Sequence, residues 1–225
     1  MDDHQVKKTF VGFGDSWAAG DELDLDREDP YIAILAKQHK SDYINYAMPG
    51  TSLPQLVIQF KKFLRDGGYK PTTRYCAVFF LTAKERFFAF HRGIDQPFNP
   101  RGIFPLKDVA SELQDMNKLY YKYFYSDEFA DYMTNVTLIT LQQLCRQYNI
   151  QDYYIPGWQY NTFWDEVDTT KIYNVTCQDL LNLEISTQGT PQKNNPYFAP
   201  NISHPNQLGH QRIAEALNNW ISSST

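Results

Sequence analysis

Residues 76–81, Cys-Ala-Val-Phe-Phe-Leu, are apolar at six consecutive positions. Side chains of a strand point alternately to the two faces of its sheet, so such a run needs cover on both sides. The length suits a strand better than a buried helix, and residues 75–82 read as the central strand of a parallel sheet. Around it, apolar segments at Lys8 to Phe13, Asp42 to Ala47 and Asp152 to Ile155 read as further short strands. Helical periodicity or composition marks Pro30 to Gln38, Leu53 to Leu64, Ser111 to Tyr125, Glu128 to Tyr148 and Asn206 to Ile221. The stretch 159–200, rich in Asn, Gln, Thr and Pro, reads as long loops with one short edge strand or helix near Leu180 to Ile185. Strands alternating with helices predict an α/β fold with a parallel sheet covered on both faces, and no repeat or linker divides residues 1–225.

Composition narrows the function classes. The formal net charge is −5 and no Lys/Arg stripe offsets it, which argues against nucleic acid as a partner. No apolar run approaches the roughly 20 residues that span a bilayer, so no membrane association is expected. Met1 to Lys8 is polar and lacks the apolar stretch of a signal peptide, which predicts a cytoplasmic protein. Cys76, Cys145 and Cys177 are odd in number and widely spaced, as expected of buried free thiols. Asn135, Asn174 and Asn201 each open an Asn-x-Ser/Thr triplet, without consequence in the absence of export. His204 and His210 lack the i, i+4 spacing of a helical metal pair, and no Gly-rich phosphate loop follows a strand, so neither metal nor cofactor is expected. His4, His39 and His91 read as surface or loop residues.

The chemistry lies at the two ends of the chain. Ligands of an open parallel sheet bind beyond the carboxyl ends of its strands. Gly14-Asp15-Ser16 occupies such a position after the first strand, where Gly14 permits a tight turn and Ser16 presents its hydroxyl and N–H outward. The tripeptide alone is common, appearing in roughly one chain in twenty of this length. His204-Pro205-Asn206-x-x-Gly209-His210, just before the last helix, is far rarer, on the order of once in 10⁵ chains. A neutral imidazole held there can take a proton from a serine hydroxyl near pH 7.

The strand-Gly14-Asp15-Ser16 start, the Asn45-Tyr-Ala-Met-Pro-Gly50 segment and the His204-Pro-Asn-x-x-Gly-His segment resemble the first, second and last blocks of the SGNH/GDSL hydrolase family, in its order. The resemblance implies a flavodoxin-like three-layer α/β/α sandwich, with Ser16 as nucleophile and His204 as base. It also implies an oxyanion hole formed in part by the backbone N–H groups of Ser16 and Gly50, donors aimed at the charge that develops in the tetrahedral intermediate. His210 corresponds to a second histidine whose role is packing or capping.

Two positions depart from the pattern. Leu81-Thr82-Ala83-Lys84-Glu85-Arg86 stands where the family usually has Gly-x-Asn-Asp, which leaves Thr82 as the side-chain oxyanion candidate and Asp15 and Arg86 as site-supporting or substrate-contacting residues. A Thr with a downstream Arg at this block is similar to SGNH-like proteins of bacteriophages. Asn201 occupies the place of the triad acid, three residues before the histidine, which predicts a Ser-His dyad with Asn201 as an orienter. Asp15, Asp21 and Glu22 are the other acids within reach of the site, although a solvated acidic loop is the first reading for Asp21 and Glu22. The expected activity is that of an esterase or deacylase on a small-molecule or glycan ester, O-acetylated carbohydrate included. The Tyr120–Tyr125 cluster, Trp158 and Trp164 read first as structural packing and second as sugar-stacking rings. The alternative expectation is a structural or glycan-binding protein on the same scaffold, a virion component or a homo-oligomer.

Overall fold

The computed structural model describes residues 8–86, 89–90, 97–98, 118–182, 195–199 and 204–223. Strands β1 (Lys8–Phe13), β2 (Asp42–Asn45), β3 (Arg74–Leu81) and β6 (Gln151–Pro156) form one sheet in the order β2-β1-β3-β6, with every pair parallel. A separate antiparallel pair, β4 (Ala89–Phe90) and β5 (Pro97–Phe98), follows β3. The helices are α1 (Ser16–Ala19), α2 (Tyr31–Gln38), α3 (Leu53–Arg65), α4 (Asp127–Gln147), α5 (Cys177–Leu180) and α6 (Gln207–Ser223), with a 3-10 turn at Thr169–Lys171. Residues 118–123 are also helical, whereas 111–117, the start of the helix expected there, lie outside the described residues.

The apolar run at the centre behaves as its pattern demands. Cys76, Val78 and Phe80 face a layer built by Ile32, Leu35 and Ala36 of α2 with Ile213, Ala214 and Leu217 of α6. Ala77, Phe79 and Leu81 face the opposite layer, built by Leu56, Phe60 and Phe63 of α3 with Leu138, Leu141 and Cys145 of α4. The sheet is thus covered by helices on both faces, the three-layer α/β/α arrangement. Phe13, Phe79 and Tyr154, paired across three neighbouring strands, stack face to face with ring centroids 4.8 and 5.1 Å apart. Among the described residues no helix is long and apolar enough to cross a membrane.

Element ends differ from expectation where a side chain captures the backbone. Strand β2 stops at Asn45 rather than Ala47, because Asn45 Oδ1 accepts the Ala47 N–H (3.1 Å) and turns the chain. Pro30 is the N-cap of α2 instead of its first turn. Asn206 caps α6, its Oδ1 accepting the Gly209 N–H (3.1 Å), so the helix begins at Gln207. The ambiguous segment near Leu180 is the short helix α5, started by Thr176 Oγ1 accepting the Asp179 N–H. His39, expected at the surface, is half-buried at the end of α2 with its ring 5.1 Å from that of Phe10, while His4 and His91 lie outside the described residues. Asn135, which opens a glycosylation triplet, is fully buried and hydrogen-bonded on both sides of its amide. All three cysteines are buried free thiols, and burial pushes Cys76 up to about 12.

Phe79 is fully buried in the middle of the aromatic row. Phe79→Ala therefore opens a cavity between two strands and α3, with an expected loss of about 3–5 kcal/mol of unfolding free energy. Urea denaturation monitored by circular dichroism measures it.

Candidate active site

The carboxyl end of β1 builds the first half of the site. Gly14 has φ 154°, and a Cβ there would lie 2.6 Å from Ala18 Cβ and 2.8 Å from Phe80 Cβ. Only glycine passes this point, and the chain turns directly into α1 with Ser16 as its first residue. Being at the first position, the Ser16 N–H has no acceptor within its own helix. Gln59, reaching up from α3, fixes the turn by accepting the Gly14 N–H (3.0 Å) and donating to the Gly14 carbonyl (2.8 Å) and Thr51 Oγ1 (2.8 Å). Asn45 holds the far end of α1 by donating to the Ala18 carbonyl (3.0 Å). The Met48 N–H donates to the Gly14 carbonyl (3.0 Å), which sets the turn containing Gly50 alongside.

Asp15 is fully buried one residue before Ser16. Its Oδ1 accepts the Trp17 N–H (3.0 Å) as the N-cap of α1. Its Oδ2 accepts from Thr82 Oγ1 (2.7 Å) and from Arg86 Nη1 (2.8 Å). Arg86, 16% exposed, also donates to the Thr51 carbonyl (3.2 Å). Asp15 and Arg86 thus support the turn into Ser16 from behind. The expectation for Thr82 needs correction: a hydroxyl has one proton, and here it is directed at Asp15 rather than outward as an oxyanion donor. Tyr160 donates to the Thr82 carbonyl, and desolvation pushes its phenol far up, which keeps that donor protonated.

The second half comes from the segment before α6. The Ala199 N–H donates to the His204 carbonyl (3.0 Å) and the Asn206 N–H to the Tyr197 carbonyl (2.9 Å), so the chain closes on itself around the histidine. His204 Nε2 lies 2.9 Å from Ser16 Oγ, across 188 positions of sequence. The other ring nitrogen, Nδ1, is buried and makes no hydrogen bond with the described residues. Glu22 Oε1 stands 3.4 Å from it, within ion-pair range but outside hydrogen-bond geometry. Glu22, read from the sequence as part of a solvated loop, is therefore at the site, whereas Asn201 lies outside the described residues. His210 is fully buried, and its Nδ1 accepts the Tyr31 N–H (3.1 Å) at the start of α2, a capping contact. Burial first, and the neighbouring His204 second, push His210 down to about 4.

Of the aromatic candidates, Trp158 is packed against Trp17 and Phe80 (5.3 and 6.3 Å between centroids) and belongs to the core margin. Trp164 is 37% exposed beside Tyr132, and Tyr123 and Phe124 are exposed, while the Tyr121 hydroxyl donates to the Glu85 carbonyl. Among the described residues no group of three or more His, Cys, Asp or Glu side chains is arranged to hold a metal ion. Gln59 escaped sequence reading, although its signal was present: Gln55 and Gln59 interrupt the apolar stripe of α3 at i, i+4 spacing.

No protein-family model matches the sequence, and no curated protein matches it. Solved structures do match the fold. The psychrotrophic esterase EstA from Pseudoalteromonas sp., solved inhibited by monoethylphosphonate, superposes with TM-score 0.52 at 10% identity, covering 96% of this chain and 97% of that one. TesA gives TM-score 0.52 at 10% identity, with 96% and 99% covered. LAE5, an alpha/beta hydrolase enzyme from the metagenome of Lake Arreo, Spain, gives 0.51 at 13% identity, with 96% of both chains covered. What is shared with them is the fold, a parallel sheet between two helical layers.

Two measurements probe this scaffold. Arg86→Met leaves a buried carboxylate without its counter-charge, and an expected loss of about 3–5 kcal/mol should appear as a lowered urea midpoint. His210 binds no proton in the folded chain until near pH 4, while the unfolded chain protonates it at its ordinary value near 6.5. Its contribution is whole above pH 6.5 and is lost as pH falls toward 4, about 3 kcal/mol in all. His210→Gln should flatten the fall in stability between pH 6.5 and 4, measured as urea midpoints across that range.

Proposed function

We propose that this SGNH-fold chain is a serine ester hydrolase in which Ser16 attacks the ester carbonyl and His204 relays the proton. The observation that carries the reading is the 2.9 Å contact between His204 Nε2 and Ser16 Oγ on a rigid turn at the carboxyl end of β1. Neutral imidazole takes the Ser16 hydroxyl proton as the Oγ–C bond forms and the carbonyl π electrons move onto oxygen. The oxyanion is received by the N–H groups of Ser16 and Gly50, fixed donors that need no reorganisation as charge develops. Collapse expels the alcohol, which leaves with the proton from Nε2. Water then gives its proton to His204 and attacks the acyl group, and Ser16 departs with that proton restored. Asp15, Thr82 and Arg86 act behind the serine by holding α1 and the turn before it in place.

The substrate class is a carboxylic ester of a small molecule or of an O-acetylated glycan. The reading draws support from the esterase named among the structures of the same fold and from its inhibition by a phosphonate, a mimic of the tetrahedral intermediate. The chain therefore should hydrolyse p-nitrophenyl acetate or an acetylated oligosaccharide, and Ser16→Ala should slow it by about 10³-fold or more. A fluorophosphonate probe should add covalently to Ser16 and leave Ser16→Ala unlabelled in intact-mass spectra. Equal rates in the two proteins, with no adduct, would favour a binding or structural role for the scaffold.

A further inference from the structure

The geometry points to Glu22 as the carboxylate that orients His204, supplied by the loop after the nucleophile rather than by position 201. The inference rests on the reading of Ser16 and His204 as nucleophile and base. For Nε2 to accept the serine proton, the neutral ring must carry its own proton on Nδ1. That N–H is buried and unpaired among the described residues, and the Glu22 carboxylate stands 3.4 Å away. Turning the Glu22 carboxylate into line with the ring N–H and closing the gap by about half an ångström makes an ordinary hydrogen bond. When Nε2 takes the serine proton, the ring becomes an imidazolium, and the carboxylate stabilises that charge while the Nδ1 proton stays on the ring. With side-chain exposures of 24% and 28%, the two groups are shielded from bulk water enough for this attraction to act.

The loop that carries Glu22 is tied to both halves of the site. Gly20 ends α1 in the left-handed conformation (φ 81°), and its N–H and that of Asp21 both donate to the Ser16 carbonyl (3.1 and 3.2 Å). The Leu23 N–H then donates to the Gly20 carbonyl (3.0 Å), which makes Asp21 and Glu22 the two corner residues of a turn anchored on the nucleophile itself. At the far end of the loop the Asp29 N–H donates to Gln207 Oε1 (2.9 Å), three residues beyond His204. The nearby Asp15 is occupied by Trp17, Thr82 and Arg86 and has no part in this contact.

The test uses the full chain with Glu22→Gln, Glu22→Asp and Asn201→Ala. Hydrolysis of p-nitrophenyl acetate gives kcat and KM, and ¹⁵N NMR of the His204 ring reads its tautomer independently of turnover. Glu22→Gln should lower kcat about 10²–10³-fold with KM nearly unchanged and should shift the ring away from the Nδ1–H tautomer. Glu22→Asp, which keeps the charge on a shorter arm, should recover part of both. An unaltered tautomer and kcat in Glu22→Gln, with Ser16→Ala still inactive, would overturn the role of Glu22 alone; so would a loss confined to Asn201→Ala. Wild-type turnover that does not depend on Ser16 would overturn the hydrolase reading, while the tautomer shift would still decide the Glu22 contact.

Discussion

A carboxylate with no access to solvent sits immediately before Ser16, and the local structure is organised around keeping it satisfied. Removing such a charge from water costs several kcal/mol even after relaxation, so it persists only where donors converge on it. The three that converge on Asp15 come from separate places: the first turn of α1, the end of β3 and the loop beyond it. Arg86 passes the constraint on to the Thr51 carbonyl, and Gln59 passes it from Thr51 back to both backbone groups of Gly14. The circuit closes on the turn it started from. The position of the Ser16 hydroxyl follows from this circuit more than from contacts of its own.

The histidine side is held by a different set of bonds. Tyr31 and His210 join the start of α2 to the first turn of α6, and Asp29 joins the loop before α2 to Gln207. Each contact pairs a backbone N–H with a neutral side-chain acceptor, and that of Tyr31 serves an orphan N–H at the start of α2. Keeping His210 unprotonated is a condition of that cap, since its Nδ1 must accept. The two halves share the sheet as a common floor, and Ser16 and His204 meet above the ends of its strands.

Much of this was legible in the residues themselves. The apolar run of β3 announced a strand covered on both faces, and the alternation around it announced helices as the cover. Gly14-Asp15-Ser16 and His204-Pro205-Asn206 marked the two ends of the site because each residue type is needed by the local backbone as well as by the chemistry. Side-chain direction was harder. The sequence aims Thr82 at substrate, but the buried carboxylate beside it accepts its hydrogen bond. Glu22 sits among Asp21, Asp24 and Asp26, which as a string resembles solvated surface. What brings its carboxylate beside His204 is the left-handed residue at Gly20 and the turn that follows, a change of chain direction that composition does not encode. The polar break at Gln59 is visible in the stripe of α3, but its partner Gly14 lies 45 positions away and no local pattern names it.

The 188-residue separation of Ser16 and His204 has a consequence for the timing of reactivity. During synthesis the residues of β1, the Gly14 turn and α1 leave the ribosome well before those of α6. At that stage Ser16 is an ordinary alcohol with no imidazole beside it. Its contact with His204 forms only when α6 docks on α2. Unfinished or clipped molecules consequently lack that contact. A covalent serine probe applied to a mixed preparation would count completed folds rather than polypeptide chains.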